Sequence, residues 1–333
     1  MIPISVLDLS PIVEGGDAGR ALNESRALAQ AAERLGYRRF WLAEHHNMPG
    51  VASAATPLAI AHVAAGTSSI RVGAGGIMLP NHAPLVVAEQ FGTLQALHPG
   101  RIDLGLGRAP GTDGATARAL RRYFEAADQF PRDVMELKRF LEPAVEGQAV
   151  RAIPGEGSRV PIWLLGSSLY SAELAATLGL PFAFASHFAP ELLLQALHVY
   201  RAGFRPSETL EQPYAMAVIN VFAAETDEAA RRLSTSMQQA FAAVVRGRPA
   251  QLAPPVDDIE AVLDAASLAA VASRLTYAAI GGPETVGGKL RDFAALTGVD
   301  EVMVTGMIHD LDARVRSLEI TAEAAQALVA KAA

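Results

Sequence analysis

A carboxylate and two imidazoles stand side by side in Glu44-His45-His46, directly after the apolar run Phe40-Trp41-Leu42-Ala43 and ahead of Asn47-Met48-Pro49-Gly50. The run reads as a buried strand that carries its ionisable groups to its C-terminal end. Consecutive side chains of an extended chain face opposite ways, so only one of the two histidines enters a site and the other turns to the surrounding shell. This argues against a two-histidine metal site, which on a helix wants four-residue spacing, and no metal is expected. One working histidine with a neighbouring acid can shuttle a proton or hydrogen-bond an anionic intermediate near neutral pH. A histidine that merely packs is the alternative.

Other strand-like runs end in polar residues too: Gly75 to His82, Gly107-Arg108 to Asp113, Gly166-Ser167-Ser168 and Ser186-His187. The opposite junctions read as bland, so polar chemistry is collected at one end of the strands. Gly73-Ala74-Gly75-Gly76 interrupts an otherwise β-branched run, which marks either a ligand lying close to bare backbone or tight helix-to-strand packing. Gly105-Leu106-Gly107-Arg108-Ala109-Pro110-Gly111 looks superficially like a dinucleotide fingerprint, but its spacing is wrong and no helix follows Pro110 at once. Arg108 reads instead as a fixed cation for a phosphate or another anion. Leu164 to Ser168 followed by Ser171-Ala172-Glu173 is strand, tight turn and helix, whose amides and hydroxyls suit an anion. Ordinary helix capping by serine explains that turn equally well when it is taken alone.

These residues need elements to hold them. Strands are expected at Ile2 to Leu9, Arg39 to Ala43, Ile70 to Met78, Arg101 to Leu106, Pro161 to Leu165, Phe182 to Ala185, Tyr214 to Phe222 and Glu301 to Val304. Between and after them come Ala/Leu-rich stretches with helical periodicity: Ala18 to Leu35, Ala54 to Ala65, Leu85 to Leu97, about Val134 to Leu141, Ser171 to Leu178, Pro190 to Ala202, Asp227 to Val245, Pro283 to Leu296 and Leu311 to Ala330. Such alternation predicts an α/β protein, a single (β/α)8 TIM barrel spanning residues 1–333 with insertions at the C-terminal mouth. An open doubly wound sheet fits less well, because it concentrates its site at one switch point while polar residues here follow at least five strands. Glu146 to Arg159 reads as a loop or small hairpin, and the Pro-rich Arg246 to Asp258 as a lid or a passive excursion.

Composition narrows the function. Against 35 Asp+Glu stand 28 Lys+Arg, a formal net charge of −7, which leaves no basic footprint for nucleic acid or an anionic membrane. The chain has no Cys, so disulfides, thiolate nucleophiles and Cys-ligated zinc are excluded. No signal-peptide pattern and no bilayer-length apolar run is visible, so a soluble cytoplasmic protein acting on a small molecule is expected.

Taken together, Trp41 to His46, Gly73 to Pro80, Arg101 to Arg108, Asp113, Ile162 to Ser168 and Gly179-Leu180-Pro181 resemble, in order and spacing, the bacterial luciferase-like flavin-dependent monooxygenases. The resemblance covers nearly the whole chain and implies the same (β/α)8 barrel. It places His45 on the family's catalytic histidine with Glu44 beside it, and Gly75-Gly76 on a non-proline cis peptide beneath the isoalloxazine. It places Arg108 and the turn Gly166, Ser167, Ser168 and Ser171 on the flavin phosphate, and Asp113 on an acid influencing flavin binding. The implied reaction takes reduced FMN as co-substrate from a separate NAD(P)H:flavin reductase. Through a hydroperoxide at flavin C4a, O2 then oxygenates a small organic substrate, and a homodimer is expected through helices near the second and third strands. Gly107 stands where luciferase has a cysteine and Gly75-Gly76 where it has alanines, and the substrate-facing loops differ, so light emission is not implied. A deazaflavin-dependent hydride transferase and a non-catalytic flavin-binding barrel are the alternatives.

Overall fold

Strands buried on both faces read as nearly unbroken apolar runs, and those of this chain do so because helices cover the outside and side chains fill the inside. The computed structural model describes residues 2–109, 113–121 and 124–330, so Pro110, Gly111 and Thr112 of the Gly107 to Asp113 run lie outside the described residues. Its first half runs β1 (Ile4–Asp8), α1 (Ala18–Arg34), β2 (Arg39–Leu42), α2 (Thr56–Ala65), β3 (Arg71–Met78), α3 (Pro84–Leu97), β4 (Ile102–Gly107), α4 (Gly114–Ala119), α5 (Phe130–Leu141) and β5 (Ile162–Gly166). The second half runs α6 (Leu169–Leu178), β6 (Phe182–Phe184), α7 (Leu193–Gly203), β7 (Ala215–Ala223), α8 (Asp227–Val245), α9 (Ala265–Arg274), β8 (Ala279–Gly281), α10 (Pro283–Thr297), β9 (Glu301–Thr305) and α11 (Leu311–Ala330).

The pairings close a ring in the order β1-β2-β3-β4-β5-β6-β7-β9, with β9 returning to β1 and every ladder parallel. This is the closed eight-stranded TIM barrel that the alternation predicts. The short β8 is outside the ring, pairing with Val221–Ala223 beyond the stretch of β7 that pairs with β9. Neither β8 nor the helices α4 and α9 was anticipated. Each is too short or too weakly patterned to stand out, at three, six and ten residues. Helix ends follow local chemistry: Asp17 caps α1 by accepting from the Arg20 amide, and Gly36 just past its end has φ +80.

Side chains alternate as the pleat requires. Val6, Phe40 and Leu42 belong to the large core under the helices, whereas Leu7, Trp41, Ala43, Trp163, Ala183, Met216, Val218 and Met303 pack together inside the barrel. Glycines let β3 and β4 approach closely. A side chain at Gly76 would meet the Gly105 carbonyl oxygen at 2.7 Å and Leu165 Cδ1 at 2.5 Å, and one at Gly105 would meet the Ala74 carbonyl oxygen at 2.2 Å. The close packing that these glycines permit is between strands, not the helix-to-strand packing that the sequence suggested. The segment Glu146 to Arg159 forms a loop without strands, and Gly155 presses on Gly92 of α3.

The N-terminal ends of the strands are not bland, contrary to the reading of the junctions. Arg39, buried, donates to Asp103 Oδ2 (2.8 Å) and to Glu301 Oε1 (2.9 Å), while Arg71 donates to Asp103 Oδ1 (2.6 Å). Trp41 Nε1 donates to Asp103 at 3.1 Å, the Tyr214 hydroxyl donates to Glu301 at 2.8 Å, and Ser5 Oγ donates to Glu301. Burial acts against the Arg39 charge, but the two carboxylates outweigh it and hold its pKa above the usual guanidinium value. These groups went unnoticed because each sits singly in its strand, and only barrel closure brings them together. Removing one partner of a buried ion pair strands the other charge. Arg39→Met is expected to cost about 3 to 5 kcal/mol of stability, measured by urea unfolding; a loss below about 1 kcal/mol, the range of an exposed pair, would contradict a structural role for the network.

Candidate functional site

After β2 the chain stays extended, with the Glu44 amide donating to the Gly76 carbonyl at 3.2 Å. Alternation then directs Ala43 and His45 inward and Glu44 and His46 outward. His45 lines the cavity at the mouth of the barrel, and His46 Nε2 lies 2.8 Å from Glu44 Oε1. The two histidines are thus divided as strand geometry requires.

Glu44 is 1% exposed and accepts four donors. Besides His46 these are His82 Nε2 at 2.9 Å, the Met78 amide at 2.9 Å and Asn81 Nδ2 at 3.2 Å. Burial alone would raise its pKa, yet these partners hold it at about 2, so it is ionised at neutral pH. The hydrogen bond to Glu44 in turn raises the pKa of His46. Glu44, His46 and His82 offer ligand atoms within 4.8 Å of one another, the geometry of a possible metal trio. The carboxylate, however, is already surrounded by N–H donors, an arrangement complete without a cation. His82 was noticed only as part of a strand end; its role as second imidazole on Glu44 required knowing that the residues after β2 and β3 meet.

The cavity at the strands' C-terminal ends has a volume of about 530 Å³. His45, Gly75, Gly76 and Arg108 line it, with Gly166, Ser167, Ser168 and Ser171. Residues that the sequence spreads over more than a hundred positions therefore face one space. The Gly75-Gly76 peptide is cis, as the resemblance implies. A larger cleft of about 670 Å³ lies at the opposite face, where Arg38, Arg39, Arg71 and Tyr214 line it. It belongs with the ion-pair network and holds none of the residues at the strands' C-terminal ends.

One rim of the mouth cavity is built for an anion. Arg108 forms no ion pair among the described residues and stacks over Tyr170, 4.3 Å from the ring centroid. Ser168 is the N-cap of α6, but its side chain makes no capping bond. Ser171 lies so close to Gly166 that any side chain there would collide with its Oγ at 2.1 Å. A guanidinium, helix-terminal amides and serine hydroxyls are groups that suit a phosphate. Asp113 is placed differently from the rest. It is absent from the cavity lining, caps α4 by accepting from the Ala115 and Thr116 amides (2.8 Å each), and receives Asn47 Nδ2 at 3.2 Å.

The other wall is mostly apolar, with Phe188, Met237, Phe241 and Val244, and includes four polar residues that the candidate set lacked: His187, Asn220, Arg274 and Thr305. Arg274 sits over the Phe241 ring at 5.4 Å. Only Ser186-His187 had a sequence signal, as a polar strand end. Asn220 is hidden in a nine-residue buried strand, and Arg274 lies on the unanticipated α9. The Pro-rich segment 246–258 crosses this side of the mouth. Leu252 exchanges backbone hydrogen bonds with Ile12 (2.8 Å) and Glu14 (2.9 Å), and Pro249 and Ala250 line the cavity.

Comparison with known proteins agrees with this architecture. The profile of the luciferase-like monooxygenase family matches residues 2–301. A luciferase-like monooxygenase of Escherichia coli (strain K12) is 51% identical over 98% of both chains. An N-acetyl-S-alkylcysteine monooxygenase of Bacillus subtilis (strain 168) is 39% identical over 74% of this chain and 75% of its own. The crystal structure of apo-MsnO8 superposes with a TM-score of 0.87 at 35% identity, covering 98% of this chain and 99% of that one. More distant structures share the fold alone. They include the oxygenating constituent of 3,6-diketocamphane monooxygenase with FMN (17% identity, TM-score 0.72) and an F420-dependent secondary alcohol dehydrogenase (14%, TM-score 0.72), each covering 97% of this chain. With a profile match over residues 2–301 and half its residues shared with a named relative, the chain belongs to the luciferase-like monooxygenase family.

Proposed function

We propose that the mouth cavity binds reduced FMN and that the protein uses it with O2 to oxygenate a small organic substrate. The observation that carries this reading is a mostly apolar cavity with, at one rim, a serine-lined helix N-terminus and an arginine that forms no ion pair among the described residues, and with His45 on its wall. Reduced flavin supplies the electrons that activate O2, so that one oxygen atom enters the substrate and the other leaves as water. Arg108, Ser167, Ser168, Ser171 and the turn at Gly166 hold the phosphate. Gly75 and Gly76 give the flavin ring a wall without side chains. His45 holds or donates a proton at the reacting oxygen. Glu44 acts through its neighbours: an ionised, fully bonded carboxylate fixes His46, His82 and the Met78 amide, and so the ends of β2 and β3 that bear His45 and the glycines. Apolar walls exclude water from the reacting atoms.

Electrons come, in this reading, from a separate NAD(P)H:flavin reductase in the cytoplasm. No helix among the described residues is long and apolar enough to cross a membrane. The homodimer expected through α2 and α3 draws support from Leu58, Val86 and Leu97, which are 73%, 45% and 65% exposed on those helices. A second reading, hydride transfer with a deazaflavin, is favoured by the F420-dependent fold neighbour. Anaerobic titration with reduced FMN followed by admission of O2 separates the two. Oxygen uptake with oxygenated product supports the monooxygenase, and reduction of a deazaflavin without oxygen uptake supports the alternative.

Two variants test the assignments. Arg108→Ala is expected to weaken FMN binding by roughly tenfold to a hundredfold while leaving riboflavin, which lacks the phosphate, nearly unchanged; fluorescence titration of both ligands decides, and equal losses remove Arg108 from the phosphate site. His45→Ala is expected to leave reduced-FMN affinity intact and lower oxygenated product per flavin oxidised by roughly a hundredfold or more, with hydrogen peroxide released instead. A larger drop in His46→Ala than in His45→Ala would show the wrong histidine has been chosen.

A further inference from the structure

Among the described residues, two buried polar atoms of the mouth cavity lack a hydrogen-bond partner: Asn220 Oδ1 and His187 Nδ1. Asn220 is 2% exposed and follows Met216 and Val218 at two-residue spacing on β7, so it points into the barrel one layer above them. Its amide cannot be read either way round. Nδ2 lies 2.6 Å from the His187 carbonyl oxygen, which accepts only from a donor, so Oδ1 is left as the free acceptor. The turn that carries His187 is itself pinned, since Ser186 Oγ donates to the Val218 carbonyl at 2.6 Å and the imidazole packs edge-on against Phe188 at 4.8 Å. Burial, and the nearby His45, push the His187 pKa down to about 3, so the ring is neutral at working pH. Its Nδ1 then donates or accepts according to tautomer.

Native proteins rarely leave buried polar atoms unpaired, and two of them on residues that line one cavity mark where a ligand completes the bonding. The ring order says which ligand. Gly75-Gly76 lies on the third strand of the barrel and the Arg108 and Ser168 rim after the fourth and fifth, whereas Asn220 lies on the seventh, diametrically across from the third. The wall around it is apolar, with Phe188, Met237 and Phe241.

We infer that Asn220 and His187 anchor the substrate, and that they select an uncharged group that donates a hydrogen bond to Asn220 Oδ1, an amide or an alcohol, on an otherwise apolar molecule. This rests on the flavin reading for which half of the cavity the cofactor occupies. Asn220 Oδ1 repels a carboxylate or an ester oxygen placed against it, and a site with a buried acceptor discriminates strongly against analogues that lack the donor. His187 Nδ1 pairs with the carbonyl or hydroxyl oxygen of the same group.

The test uses the full chain loaded with oxidised FMN and two probes of similar size, hexanamide, which donates, and methyl hexanoate, which does not. Ligand-observed NMR is expected to show hexanamide bound about tenfold more tightly than methyl hexanoate. Asn220→Leu and, independently, His187→Phe are each expected to abolish that preference while FMN affinity stays within about twofold of the parent. His187→Phe keeps the backbone carbonyl that Asn220 uses, so it remains informative if Asn220→Leu does not fold. Equal binding of the two probes by the parent overturns the inference, and so does a preference that survives both variants. A loss of FMN affinity matching the loss of hexanamide would assign the pair to the cofactor instead and overturn it too. Failure of the parent to bind FMN at all would sink the flavin reading, an outcome separate from any of these.

Discussion

A charge buried inside the barrel fixes much of what surrounds it. Arg39 enters from β2 and is held between Asp103 of β4 and Glu301 of β9, with Arg71 of β3, Ser5 of β1 and Tyr214 at the entry to β7 completing the set. Shifting any of these strands by one residue turns its side chain to the other face and leaves a charge in the interior without its partner. The apolar layer of Trp41, Trp163 and Met303 alone would tolerate more than one arrangement, since apolar contact has no direction. The ion network specifies register, and register decides at what height each strand ends. The residues at the opposite mouth are level with one another because the floor is fixed.

At the mouth a different polar device acts. Glu44 gathers two imidazoles, a side-chain amide and a backbone amide, so a carboxylate that burial alone would neutralise stays charged. The donors come from the residue two further along after β2 and from the end of β3 and the turn beyond it. Two neighbouring strand ends are therefore tied at the point where the chain leaves the sheet and would otherwise be free to move. Rigid placement of a site depends on such supporting bonds as much as on the residues that face the ligand. This explains why the acid of the Glu44-His45-His46 run faces away from the cavity while only His45 enters it.

How much of this was legible follows from where the information resides. The eight ring strands were readable because each is a local apolar run bounded by turn residues, and the inward placement of one histidine followed from the pleat. Arg108, Gly166 and Ser168 were readable because each ends a strand, so topology brings them to one place without further detail. His82 on Glu44, and Arg39 between Asp103 and Glu301, were not, because each is a contact between segments distant in sequence and nothing local marks it. Asp113 is ambiguous for another reason: an acid before a helix carries the same sequence signature whether it serves a ligand or caps the helix, and here its oxygens accept the first-turn amides. Asn220 left no trace at all, since one polar residue within Ala215–Ala223 looks like a tolerated exception until its neighbours are seen.

The contrast between Glu44 and Asn220 is instructive for that reason. Both are buried polar groups at the same end of the barrel, and both bond to a neighbouring strand end or turn. At Glu44 the protein supplies donors to both oxygens, and the result is structural rigidity. At Asn220 it supplies a partner to the amide nitrogen, which orients the group, and leaves the oxygen unpaired on a residue that lines the cavity. A side chain held that firmly with one atom unsatisfied carries a free-energy cost in the absence of ligand, on the order of 1 to 3 kcal/mol. A residue whose only task was packing would carry no such cost in leucine's shape. The half-satisfied group is therefore the better guide to what enters the cavity, and the fully satisfied one to what keeps the cavity in place.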